Sequence, residues 1–233
     1  YSTLTIDPVN ADVVWIPQVA LLRTIDGGRS IHSVGGIHHG DVHDLWIDPR
    51  APERVIIGND GGVDLSLDSG KTWFAPPMPW SQFYNVDVDD RLPYHVGGTV
   101  QDEGTAMGPS DSLRAEGIVL GDWQTAGGGE AGDFVFDRAE EGVVYAGEYG
   151  GIMTRWEEGS ANERNISYYP TTPSGHGAED LRVRFQWTAP LLASRREPGV
   201  IFHGSNILLR SADGRQTWKQ VSPDLTRNDK EKQ

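Results

Sequence analysis

Apolar and polar positions along the chain fall into a repeating figure. A short strand-like run ends in Asp or Asp-Pro, a polar turn follows, and a run rich in β-branched residues comes next. Ile6-Asp7-Pro8 leads to Val13-Val14-Trp15-Ile16, and Ile47-Asp48-Pro49 leads to Val55-Ile56-Ile57-Gly58. Val88-Asp89 leads to Tyr94-His95-Val96-Gly97, and Phe136-Asp137 to Val143-Val144-Tyr145-Ala146-Gly147. A weaker copy joins Leu191-Leu192 to Val200-Ile201-Phe202-His203-Gly204. No helical period is sustained anywhere, so the pattern predicts an all-β chain. It divides into five hairpin-based units at residues 1–36, 37–80, 81–126, 127–180 and 181–233.

Further strands are predicted inside the units. Val63-Asp64-Leu65-Ser66 reads as a third strand, with Trp73 opening a fourth. Gly150-Gly151-Ile152-Met153-Thr154-Arg155-Trp156 reads as a third strand closed by a degenerate turn at Glu157-Glu158-Gly159. Residues 104–116 read as an irregular polar insertion, and residues 171–180 as a loop between the last two units.

One turn pattern recurs. Ser66-Leu67-Asp68-Ser69-Gly70-Lys71-Thr72-Trp73 is repeated at Ser211-Ala212-Asp213-Gly214-Arg215-Gln216-Thr217-Trp218, with the glycine one place early. Thr24-Ile25-Asp26-Gly27-Gly28-Arg29-Ser30-Ile31 repeats it again, with Ile in place of Trp. The Asp accepts from nearby backbone N–H groups, the Gly permits positive φ, and the Ser or Thr adds a hydroxyl. The terminal Trp is large enough to anchor the next strand in a core.

The pattern resembles the Asp-box, or BNR repeat, of sialidases, related glycosidases and sortilin-type receptors. Three copies in one chain imply a β-propeller of four-stranded antiparallel blades with Asp-box hairpins. The spacing of the units, about 40 to 60 residues, suits one such blade each. A β-sandwich would predict no regular recurrence of the turn.

Composition narrows the partners. The 233 residues carry a formal charge of −14, which argues against a nucleic-acid partner and suits a glycan, an uncharged peptide or a cationic one. No apolar run approaches the roughly 18 residues of a membrane span, so membrane insertion is not expected. Cysteine is absent, which excludes disulfides and thiolate chemistry.

More of the chain resembles large bacterial sortilin-like or BNR-repeat "glycosyl hydrolase" proteins. The matching stretches are His43-Asp44-Leu45-Trp46-Ile47-Asp48-Pro49, Gly58-Asn59-Asp60-Gly61-Gly62, Gln101-Asp102-Glu103-Gly104 and Gly127-Gly128-Gly129-Glu130. Arg184-Phe185-Gln186-Trp187-Thr188-Ala189-Pro190 and Ser222-Pro223-Asp224-Leu225-Thr226 continue the series. The resemblance implies a secreted or periplasmic, bacterial protein, of which this chain is a fragment or truncated member. Open terminal blades would then be covered by missing blades of the parent or by homodimerisation.

Antiparallel connectivity sorts the candidate site residues. In each unit the start of the first strand and the end of the second share one end of the sheet, and the acidic turns lie at the other. The strand-start end collects His39, Asp41, His43, Asn59 and Asp60 in the second unit, and Gln82, Tyr84, Gln101, Asp102 and Glu103 in the third. The fourth unit adds Glu130, Asp133, Glu148 and Tyr149, and the fifth Arg184, Trp187, Ser205 and Asn206. Three readings compete. Asp60, Asp102, Glu130 and Glu148 are candidates for a glycosidase carboxylate pair. Alternatively, His43, Asn59, Gln101, Tyr84, Tyr149, Arg184, Trp187 and Asn206 bind a glycan or peptide without chemistry. The third reading gives His39, Asp41 and His43, alternating on one side of a strand, to zinc or another divalent ion. The bland alternative is that these histidines hydrogen-bond between units. Asp89-Asp90 and Asp26-Gly27-Gly28 are acidic turns of a kind that holds calcium, though neither matches an EF-hand loop. No cofactor is required by any reading. Arg184 is the one well-placed arginine, so the sialidase arginine triad is not recognisable. In the acidic turns, Ser66, Asp68, Gly70, Thr72, Trp73, Ser211, Asp213, Thr217, Trp218, Thr24 and Asp26 are assigned a structural role.

Overall fold

A computed structural model describes residues 3–77, 81–169, 174–213 and 217–232. Gly214, Arg215 and Gln216 of the third acidic turn lie outside the described residues, as do residues 171–173 of the expected loop. Among the described residues there is no α-helix, and none of the short 3-10 turns is long or apolar enough to cross a membrane. The chain forms five antiparallel sheets, each a meander of consecutive strands, and divides into two compact units, Tyr1–Trp80 and Ser81–Gln233.

In the first unit, Thr5–Ile6 (β1), Val14–Ile16 (β2), Leu22–Thr24 (β3) and His32–Ser33 (β4) make one sheet. Val42–Ile47 (β5), Val55–Asn59 (β6) and Gly62–Ser66 (β7) make the second. Alternation buries Leu45 and Ile47 of β5 and Val55 and Ile57 of β6, which pack with Trp15 and Leu21 of the first sheet, while Trp46 points out. The Thr5 hydroxyl donates to the Leu45 carbonyl, so the first strands of the two sheets stand side by side.

The second unit holds three sheets. Asp87–Val88 (β8), His95–Val100 (β9) and Gly104–Pro109 (β10) form the third, and Ala131–Phe136 (β11), Val143–Glu148 (β12), Met153–Glu157 (β13) and Asn162–Asn165 (β14) the fourth. The fifth comprises Leu191–Ala193 (β15), Ile201–Gly204 (β16), Leu208–Ser211 (β17) and Lys219–Gln220 (β18). The fourth sheet is the middle layer, and its strands are apolar on both faces. Phe134, Phe136, Val144, Ala146 and Trp156 face Met107 and Ala126. Val135, Val143, Tyr145 and Met153 face Leu191, Ala193 and Ile201. Near-continuous apolar runs are what a sheet covered on both sides requires. Strand β11 packs against β8, β9 and β15, so here too first strands neighbour one another.

The acidic turns share one bonding scheme. Ser66 Oγ donates to Asp68 Oδ1 at 2.9 Å and accepts from Gly70 N–H at 2.7 Å; Thr72 N–H and Oγ–H reach the two Asp68 oxygens at 2.8 and 2.7 Å. Thr24, Asp26, Gly28 and Ser30 repeat these bonds, and Ser211, Asp213 and Thr217 repeat those that fall on described residues. Donors from Thr72 and Ser30 hold the Asp68 and Asp26 carboxyls down to about 2, and Thr217 lowers Asp213 in the same way. Ser69 N–H donates to Glu53 O, which fixes the second turn beside the β5–β6 connection, at the end of the sheet expected from connectivity. Gly70 has φ 79°, and a side chain there would strike the Trp15 ring. Trp73 meets Trp15 edge to face with centroids 6.4 Å apart, and Trp218 Nε1 donates to Ile166 O at 2.7 Å.

Two expectations change. Residues 104–116 do not form an irregular insertion throughout: Gly104–Pro109 is a full strand, with Thr105 and Met107 buried by alternation and a further bridge from Met107 to Gln124. Small residues hid it, since Gly104, Ala106 and Gly108 present no apolar pattern. Trp73 does not open an extended fourth strand either; only Phe74 pairs, with Leu65, because Pro76 and Pro77 follow and carry no N–H for a ladder.

Candidate functional site

The strand-start end of the second unit brings four sequence-predicted residues into one directed chain of hydrogen bonds. Trp187 Nε1 donates to the Tyr84 hydroxyl at 3.1 Å, and Tyr84 donates to Gln101 Oε1. Gln101 Nε2 then donates to Glu130 Oε2 at 2.9 Å, and the Asp102 backbone N–H donates to the same oxygen at 2.8 Å. Each group is both donor and acceptor in sequence, so the bonds polarise one another. Tyr149 lies flat against Trp187, with centroids 5.1 Å apart and planes 12° from parallel. The indole is 50% exposed, so this platform faces solvent.

Each sheet contributes through its connections. Gln101 and Asp102 follow β9, Glu130 precedes β11, and Tyr149 follows β12. Asp102 holds φ 61°, an uncommon conformation for a residue with a side chain, and its Oδ2 is buried without a hydrogen-bond partner. Glu148 ends β12 opposite Ala131, the residue after Glu130. Gly129 allows this packing: a Cβ there would sit 2.6 Å from Glu148 Cγ. Asp133 lies deeper. Burial pushes its carboxyl up, while N–H groups of Leu191 and Phe134 bond it at 3.1 and 2.9 Å.

Arg184 and Asn206 sit apart from this chain, in the frame of the fifth sheet. Arg184 reaches Asp224 and Thr226, both at 2.9 Å, and Asn206 bonds Asp224 at 3.1 Å. The Thr226 hydroxyl and N–H, with Asn206, hold the Asp224 carboxyl far below the usual carboxylate range. Asp224 therefore serves as an anchor for the segment after β18, a role that sequence reasoning did not assign.

In the first unit, His43 Nε2 meets Asp60 Oδ1 at 2.5 Å. Asn59 Nδ2 donates to Asp64 Oδ2 at 2.7 Å and to His39 O at 3.2 Å, while His38 Nδ1 contacts Asp64 Oδ2 at 2.9 Å. Asp64 is 1% exposed and organises this cluster. Its signal in the sequence was position: it shares the buried side of β7 with Ser66. The alternation expected to align His39, Asp41 and His43 does not occur, because β5 begins at Val42 and Asp41 turns with φ 53°. His39 Nδ1 contacts Gly40 O at 3.2 Å. Among the described residues no group of three or more His, Asp or Glu side chains is arranged to hold a metal ion. Asp89 is engaged with Arg91 and His95, and Asp26 with its own turn.

No family model matches the chain, and no curated protein matches it. Among solved structures it is similar to YCF48 bound to D1 peptide, at 16% identity and a TM-score of 0.39, over 93% of this chain and 66% of that one. It is also similar to an ancestral GH74 enzyme, at 14% identity and a TM-score of 0.37, over 94% of this chain and 30% of that one. A third similarity is to the GH74 xyloglucanase from Xanthomonas campestris, at 15% identity and a TM-score of 0.28, over 96% of this chain and 30% of that one. The chain thus spans less than a third of the length of these GH74 enzymes. Likeness at this level carries no weight for the fold, ligand or activity of this chain.

Proposed function

We propose that the five sheets are blades of an Asp-box β-propeller and that the second unit presents a glycan-binding platform at its strand-start end. Support for the blades comes from the repeated meander, the first strands standing side by side, and the shared bonding of the acidic turns. The observation that carries the binding reading is the chain from Trp187 through Tyr84 and Gln101 to Glu130, capped by the stacked Tyr149. A sugar ring presents an apolar face and a polar rim. An exposed indole beside amide and carboxylate groups complements both.

The alternative is a glycoside hydrolase. It needs an acid free to move a proton at the scissile oxygen. Glu130 instead accepts a backbone N–H and an amide on one oxygen, the arrangement of a fixed acceptor. Binding without hydrolysis is therefore the better reading. A glycan array run beside chromogenic glycosides tests it. Saturable binding without turnover is expected, lost in Trp187→Ala; turnover abolished by Glu130→Gln or Glu148→Gln would establish the hydrolase instead.

A further inference from the structure

The second unit carries a separate cavity of about 420 Å³ at the end of the sheets opposite the aromatic platform. Its wall combines apolar surface from Val135, Leu192 and Ala193 with the guanidinium groups of Arg138, Arg195 and Arg196. Asp87 is its sole carboxylate, and that charge is already neutralised. Arg138 NH2 bonds both Asp87 oxygens at 2.8 Å, its NH1 bonds Val88 O at 2.8 Å, and Phe136 N–H adds a bond to Asp87 Oδ2 at 2.9 Å.

Arg195 and Arg196 differ from Arg138. They are consecutive residues of the β15–β16 turn, and among the described residues neither has a hydrogen-bond or ion-pair partner. The nearest acid in sequence, Glu197, is turned to Arg210 at 2.7 Å. The turn itself is fixed by Ser194 N–H to Val200 O at 2.8 Å and Glu197 N–H to Ser194 Oγ at 3.0 Å. Two uncompensated cations thus border an apolar-walled cavity on a chain whose formal charge is −14. Such a departure from the overall field attracts an anion, and guanidinium forks match carboxylates in a bidentate geometry.

We infer that this cavity binds a small organic carboxylate, with the acid on Arg195 and Arg196 and its apolar body against Val135, Leu192 and Ala193. The site is independent of the platform and takes a ligand of different chemistry.

Benzoate and its neutral isostere benzamide, titrated calorimetrically into the whole chain, test the inference, with inorganic sulfate as a third arm. Benzoate is expected to bind saturably and at least about tenfold tighter than benzamide, the scale of a charge-assisted pair. Sulfate should bind at least about tenfold more weakly than benzoate, because it lacks the apolar body. The doubly substituted Arg195→Gln, Arg196→Gln chain should lose the preference for benzoate, while Lys219→Gln keeps it. Equal affinity for benzoate and benzamide, equal affinity for sulfate, or an unchanged preference in the double variant would each overturn the assignment. Both arginines are exposed, so circular dichroism should show the double variant folded.

Discussion

The acidic turns and the polar chain at the platform are both hydrogen-bonded networks, but they span different distances in sequence. In the turns around Asp26 and Asp68, every side-chain bond joins residues at most four apart. At the platform the bonds join residues 17, 29 and 103 apart. A turn closes a short loop at small entropic cost and organises itself locally. The platform exists only once three sheets have packed. The first network therefore contributes to stability, and the second is placed by stability established elsewhere.

Substitutions that weaken the anchors behind the turns should have the largest effect. Trp15→Ala removes a ring that is 1% exposed and supports Gly70 and Trp73; it should cost about 3–5 kcal/mol in denaturant unfolding. A loss below about 1 kcal/mol would show that the turns stand without their anchor.

Acid should come next. His203 is buried beside Phe185 and Trp218, and burial alone lowers its pKa from 6.5 to about 4. The unfolded chain takes up the proton first, so stability is complete above pH 6.5 and falls as pH drops from 6.5 toward 4. The loss should be on the order of 3 kcal/mol, and His203→Phe should remove that slope. Below this window the turns respond. Asp26 and Asp68 have carboxyls lowered from 3.8 to about 2, so their contribution is present above pH 3.8 and disappears as pH falls to about 2. In Asp68→Asn, urea midpoints measured across that interval should vary less with pH than in the parent chain. An unchanged dependence would contradict the assigned role of the turn.

A single bond of the turn is worth less than its anchor. Ser66→Ala deletes the acceptor for Gly70 N–H and should cost about 1–2 kcal/mol. Trp187→Ala should be the mildest for stability, under about 1 kcal/mol, because half of the ring is already in solvent. If it unfolds the chain, the platform is part of the core and the contrast between the two networks collapses.

The same difference in range explains what was legible in the sequence. The turns could be read directly, since Ser, Asp, Gly and Thr at fixed offsets carry their whole bonding scheme. Sheet alternation was legible where β-branched runs made it visible, as at Val55–Asn59, and illegible at Gly104–Pro109, where small residues fill the same role. Connectivity put Tyr84, Gln101, Glu130, Tyr149 and Trp187 at one end of their sheets. That Trp187 would reach Tyr84, rather than Arg184 joining the site, depends on sheet packing that no local pattern encodes. Asp64 was missed for a related reason. A polar residue on an apolar face signals a partner, but nothing in its vicinity names His38 and Asn59 as that partner.

The most direct test of the account is calorimetric titration of an array-selected glycan into Trp187→Ala and Ser66→Ala, with folding midpoints measured on the same samples. The account predicts that Trp187→Ala loses at least about tenfold in affinity with its midpoint nearly unchanged, while Ser66→Ala keeps its affinity and loses stability. Unchanged affinity in Trp187→Ala, or loss of binding in Ser66→Ala while it remains folded, would contradict the division between a structural turn and a binding platform.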